Sequence, residues 1–273
     1  MNFQSNFLSS QPPGLIQPFG CVRALIFSEQ DSDYPAVPAT GILVSLFGEI
    51  FFITTKHAVV KQNFDVGDLA VLYADVADSV GKCIPFYRSR TFSSVDEEDT
   101  DQVDIMIFQA DRAAIDLSLF TLGKPFDISL REIVTNYHEE MPLHFIGISP
   151  DKNEFDYDAK SHTIHFAGAP AFYQKPTDCR SIHLARAWVS DDCPDFNGMS
   201  GAPVFWTSNV NDPKSKSLFA GMLIQGSRLN KVIRFIEAER IVSYLIDFFI
   251  GHLSREDGEI ELSRIMQSHF LQR

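Results

Sequence analysis

Cysteine is scarce. The four in 273 residues, Cys21, Cys83, Cys179 and Cys193, form neither a C-x-x-C pair nor a dense framework, which excludes a scaffold built on disulfides. Buried free thiols are the expectation; a Cys179–Cys193 bridge stays open, since both flank one loop region. Long basic stretches are missing too, and the formal charge of −13 argues against nucleic acid or an anionic membrane surface as the main partner. No uninterrupted apolar run approaches the ~20 residues that span a bilayer. The opening, residues 1–20, is rich in Gln, Ser, Asn and Pro and lacks both a basic stretch and an apolar core, so it is not a secretory signal and a cytoplasmic location is expected. Fixed-period repeats and low-complexity tracts are absent, which removes solenoids and propellers.

What the chain has is apolar residues, 45% of the total, in short β-branched and aromatic runs. Residues 20–28, 41–55, 68–74, 102–109, 143–148, 162–168, 182–189, 202–207 and 218–225 read as strands. Turn signals separate them: residues 11–14 (QPPG), 150–153 (PDKN) and 211–214 (NDPK). Many short strands without intervening helices mean a sandwich or barrels, not a βαβ fold. After Asn230 the period changes: Val232, Phe235, Ile236, Ile241, Val242, Leu245, Ile246 and Phe249 recur at helical spacing, which predicts one amphipathic helix over about 231–253. The tail, 254–273, scatters Ile260, Leu262, Ile265, Met266 and Phe270 through a charged background and reads either as a disordered or merely packed extension or as a segment that docks on a second copy or a regulatory partner.

Peptide hydrolysis by a serine needs a hydroxyl, an imidazole to take its proton, and a carboxylate to hold that imidazole in the right tautomer. Each has a candidate at a strand end. Asn197-Gly198-Met199-Ser200-Gly201-Ala202-Pro203-Val204-Phe205 is a glycine-flanked turn running into an apolar strand. Such glycines let the backbone turn sharply, so that the amides of Gly198 and Ser200 converge beside the serine Oγ as an oxyanion hole. Ile53-Thr54-Thr55-Lys56-His57-Ala58-Val59 puts a histidine at the end of an apolar strand, and Val103-Asp104-Ile105-Met106-Ile107 puts an aspartate at the start of another.

The nucleophile turn resembles that of chymotrypsin-like serine proteases, particularly the divergent bacterial and viral members without the usual disulfides. The histidine and aspartate segments fall in that family's order, His, Asp, Ser, whereas α/β-hydrolases run Ser, Asp, His and subtilisins Asp, His, Ser. The resemblance covers roughly residues 20–250. It implies an all-β fold of two six-stranded antiparallel β-barrels with a C-terminal α-helix: an N-terminal extension (1–19), a first barrel over about 20–125, a second over about 135–230, the helix to 253, then the tail. It implies a serine endopeptidase with His57, Asp104 and Ser200 as catalytic triad, Gly198 and Ser200 as oxyanion hole, no cofactor and no metal. Residues 217–226 (SLFAGMLIQG) are similar to the family's strand lining the primary pocket, so Asn197, Leu223, Ile224, Gln225 and Gly226 are the expected substrate-binding residues and a protein or peptide the expected partner.

Departures from the family are informative. Met199 stands where secreted digestive members carry the aspartate that pairs with a freed N-terminus, and Ala58 where many carry a cysteine. His162 and His165 fall on opposite faces of a strand and cannot share a metal. His183 reads as core or surface; residues 96–101 (DEEDTD), Asp191, Asp192 and Asp195 read chiefly as solvated loops. Two other readings share the residues: a protease fold that binds a peptide or partner without turnover, and an esterase using the same triad.

Overall fold

The computed structural model describes residues 2–4, 12–27, 36–60, 69–73, 82–92, 104–120, 123–129, 132–148, 153–156, 158, 161–179, 181–189 and 196–251. The acidic run 96–101, Asp191, Asp192, Cys193, Asp195 and the tail 254–273 lie outside these residues.

Strand β1 (Asn2–Gln4) is followed by helix α1 (Pro13–Phe19), then β2 (Val22–Phe27), β3 (Ala36–Leu46), β4 (Glu49–Thr54), the five-residue helix α2 (Lys56–Val60), β5 (Leu69–Val71), β6 (Phe86–Thr91), β7 (Met106–Ala110) and β8 (Phe126–Asp127). The second half holds β9 (Pro142–Ile148), β10 (Glu154–Asp156), β11 (Ser161–Thr163), β12 (Phe166–Pro176), β13 (Ile182–Ala187), β14 (Pro203–Thr207), β15 (Ser217–Ser227), β16 (Val232–Glu237) and helix α3 (Ala238–Ile250).

The first half curls into a sheet ordered β5-β2-β3-β4-β7-β6, with β8 added parallel to β3. Its two edges meet just beyond β5, where Leu72 bridges Cys83 and the Ile84 amide donates to the Val71 carbonyl at 2.8 Å. The second half closes completely as a six-stranded barrel, β12-β13-β16-β15-β14-β9. The architecture is therefore all-β, two barrel-like sheets with a C-terminal helix. One apolar core runs between them, joining Ile42, Phe51, Ile53 and Ile107 of the first to Ile146, Phe205, Phe219 and Ile236 of the second.

Three boundaries differ from the sequence expectation. Residues 232–237 are not helical: β16 completes the second barrel, pairing with both β13 and β15, and α3 starts only at Ala238. Ile233, Phe235 and Ile236 are fully buried there, and strand neighbours buried on both sides leave no clean two-residue alternation to read. The segment at Pro12–Gly14 opens a helix instead of a turn, because proline is well tolerated at a first helical position. Helix α1 belongs to the body, with Leu15 and Phe19 in the shared core. Gly14 lets it close on the turn after β14, where its amide donates to Val210 at 2.7 Å and a Cβ would lie 2.5 Å from the Asn209 carbonyl oxygen.

Helix α3 buries Ile241, Val242, Tyr244, Leu245 and Phe248, each large apolar side chain worth roughly 1.5–3 kcal/mol on burial. Phe248 reaches the first barrel, edge-on to Phe51 at 6.2 Å and under the Arg88 guanidinium at 4.3 Å. Beside α1, Arg23 is 1% exposed and donates to the carbonyls of Gly20, Val22, Tyr73 and Gly123. Among the described residues no helix is long and apolar enough to cross a membrane.

Candidate active site

His57 lies one residue into α2, immediately after β4. Apolar burial fixes that position: Phe51, Phe52 and Ile53 are fully buried in β4, and Ala58 and Val59 anchor the short helix. Asp104 precedes β7, which pairs with β4 in the register Thr54↔Met106, so the two chain ends come side by side. One Asp104 oxygen, Oδ1, accepts the His57 backbone N–H at 2.8 Å; the other, Oδ2, is hydrogen-bonded to His57 Nδ1. The carboxylate thus holds both the backbone and the ring of the histidine. A third of the imidazole, 32%, remains exposed, against 16% of the carboxylate, so the free edge of the ring faces the cleft.

That edge meets the second barrel. His57 Nε2 is 3.1 Å from Ser200 Oγ, across 143 residues of sequence. Ser200 sits in a turn with two left-handed glycines, Gly198 at φ 79° and Gly201 at φ 90°. A Cβ on Gly201 would lie 1.9 Å from the Thr40 carbonyl oxygen, so space and conformation both demand glycine. Among the described residues, neither the Gly198 nor the Ser200 amide donates to a backbone carbonyl.

Thr40, in β3, ties the two halves together. Its hydroxyl donates to the Gly198 carbonyl at 2.8 Å and accepts from the Ile148 amide at 2.8 Å; its amide donates to the Ser200 carbonyl at 3.1 Å. Thr54 Oγ1 donates in turn to the Thr40 carbonyl at 2.7 Å. Met199 is 1% exposed among Phe196, Ala202 and Leu223, so apolar packing anchors the turn.

The expected pocket residues separate. Asn197 and Gln225 are exposed, and Gly226 is half-buried. The Ile224 carbonyl lies 3.5 Å from Ser200 Oγ. Leu223 is set back: fully buried in the second-barrel core, it has its backbone N–H and C=O bonded to Ala202 and Gly201. His183 is remote and buried, stacked on Tyr137 and Phe235 and hydrogen-bonded to Glu237 at 3.0 Å. Burial and the Glu237 charge raise the Tyr137 pKa, which keeps its hydroxyl protonated as a donor to Ala220.

A matching architecture exists among solved structures. Neuropsin, a serine protease expressed in the limbic system of mouse brain, superposes with a TM-score of 0.55 at 13% sequence identity, covering 90% of this chain and 98% of that one. This is the chymotrypsin-like fold. No family model and no curated protein sequence matches the chain. The likeness is thus one of backbone. Within the chymotrypsin-like fold, the cleft between the two barrel-like sheets is where His57, Asp104 and Ser200 meet, the first two carried by one half and the third by the other.

Proposed function

We propose that the protein is a serine endopeptidase that works through an acyl-enzyme, with Ser200 as nucleophile, His57 as general base and acid, and Asp104 as the group that orients the imidazole. The observation that carries this reading is the unbroken hydrogen-bonded path from Asp104 through both nitrogens of His57 to Ser200 Oγ, next to two unspent amides. Ser200 Oγ attacks the scissile carbonyl and its proton passes to His57 Nε2. The imidazolium so formed keeps its Nδ1–H on Asp104, which stabilises the charge without taking the proton. The carbonyl oxygen becomes an anion between the Gly198 and Ser200 amides; a donor of this type is worth about 3–4 kcal/mol in the barrier. Collapse of the tetrahedral adduct breaks the C–N bond, and Nε2–H protonates the departing amine. Water then repeats the sequence on the ester and frees Ser200.

The free thiols of Cys21 and Cys179 suit a reducing compartment, in keeping with a cytoplasmic protease of the disulfide-poor kind. The test is labelling by a fluorophosphonate probe, followed by digestion of a peptide library. Wild type is expected to label and to cleave, while Ser200→Ala, which removes one oxygen atom, folds normally and does neither. Labelling that persists in Ser200→Ala rejects the nucleophile. No labelling of wild type means a binding module, and turnover of esters without peptides means an esterase.

A further inference from the structure

A specificity element lies beside Ser200, and its meaning rests on the serine-peptidase reading above. Strand β15 pairs with β14 only from Ser217 to Met222, and Leu223 is bonded to Gly201 and Ala202. From Ile224 onward, among the described residues, β15 pairs only with β16 on its other edge. The open edge passes Ser200 with the Ile224 carbonyl 3.5 Å from the Oγ, so an extended peptide can add to it as a further strand. With its carbonyl carbon at Ser200 and its oxygen toward the Gly198 and Ser200 amides, the acyl-side residue points its side chain into the slot between Ile224–Gly226 and the turn Phe196–Gly198.

That slot is filled. A Cβ built on Gly226 would lie 2.4 Å from Phe196 Cγ and 2.8 Å from Cδ2, so the phenylalanine ring already occupies the volume over Gly226. The ring is not free to swing aside. Phe196 is 4% exposed, packs on Phe145 with centroids 6.0 Å apart, and shares an apolar cluster with Met199, Ala202 and Leu223. Its carbonyl accepts the Met199 amide at 3.0 Å, so moving its backbone disturbs the nucleophile turn itself.

We infer that Phe196 fills the acyl-side pocket and makes the enzyme select glycine, alanine or serine before the scissile bond, excluding aromatic and long side chains. A rim at Gly226 and a ring at Phe196 together set the depth. Removing the ring opens a hole of aromatic size and shape, lined by Phe145 and Gly226.

The test compares covalent labelling rates of two peptidyl diphenylphosphonates that differ only in an alanine- or phenylalanine-type side chain, with a plain fluorophosphonate as reference. Wild type is expected to react at least about tenfold faster with the alanine type, and Phe196→Ala to favour the phenylalanine type, a swing of a hundredfold or more on the scale that pocket-filling groups command, roughly 10–200-fold per small group. Phe196→Leu should fall between. Gly226→Val placed in the Phe196→Ala protein refills the slot and should restore the alanine preference. Each ratio is taken within one protein, so an unfolded fraction divides out. A wild type that labels equally with both phosphonates, or a ratio that Phe196→Ala leaves unchanged, overturns the inference while plain labelling upholds the peptidase. Absence of Ser200-dependent labelling by all three probes overturns both.

Discussion

Replacing Thr40 by valine keeps the shape of the side chain and deletes the one hydroxyl that joins β3 to the nucleophile turn. Two groups lose their partner, the part-buried Gly198 carbonyl and the buried Ile148 amide, each bonded at 2.8 Å in the native protein. Leaving a buried donor or acceptor unpaired costs about 1–3 kcal/mol, so the pair gives at most about 2–6 kcal/mol, which lowers the melting temperature by about 4–24 °C at roughly 2–4 °C per kcal/mol for a chain of this size. The effect on catalysis is separate. With its carbonyl released, the backbone at Gly198 loses the bond that fixes its place, and its amide can drift from the position proposed for the oxyanion. Losing one such donor costs about 10²–10³ in turnover. Thr40→Ser retains the hydroxyl, loses one methyl group and is expected to keep most of both. Thermal denaturation and fluorophosphonate labelling rates check the series. A Thr40→Val protein that melts within about 2 °C of wild type and labels at the wild-type rate refutes the reasoning.

Asp104→Asn should fold with near-native stability, because its side-chain oxygen can still accept the His57 backbone amide, yet its NH2 group favours the wrong imidazole tautomer. Turnover is expected to fall about 10³–10⁴-fold, and a loss under threefold in steady-state assays rejects the orienting role. Burial pushes the Cys21 thiol up to about 12 while its Sγ–H donates to the Pro18 carbonyl at 2.7 Å. Iodoacetamide at about pH 8 should spare Cys21 in the native protein and modify it in urea, read by peptide mass. Since the folded thiol titrates later than the unfolded one, this group's stabilisation is full below about pH 9 and is lost as the pH rises toward 12. The urea midpoint of Cys21→Ala should therefore fall less than that of wild type between about pH 8 and 10.5.

The elements readable from sequence are those whose residues meet a local requirement. Gly198 and Gly201 advertise a turn because only glycine takes their backbone angles cheaply, and the runs before His57 and after Ser200 are apolar because they cross the core. Strand β6 was missed: Phe86–Thr91 carries two arginines, and their aliphatic stems and guanidinium planes lie against Phe248 and Phe92 instead of marking a loop. The strand β16 was misread as helix because Val232, Phe235 and Ile236 have the three- and four-residue spacing of a helix face and lead directly into α3. Thr40 carried no signal at all, since its importance lies in a partner 158 residues away. Leu223 was assigned to the cleft by its strand, but whether a residue lines a cleft depends on face and bulge, and the register shifts between Leu223 and Gln225. Phe196 escaped notice for the opposite reason: a phenylalanine at a loop end looks ordinary until Gly226 is seen beneath it.

The reach of α3 back to the first barrel bears on how the chain comes into being. Phe51 lies in β4, the strand that leads to His57, and the ring that supports it, Phe248, is among the last residues of the described chain to be synthesised. A nascent or truncated chain therefore holds the histidine and aspartate early but lacks the buttress beneath the strand that carries the histidine. Full support beneath the strand that leads to the histidine therefore waits until α3 has been made.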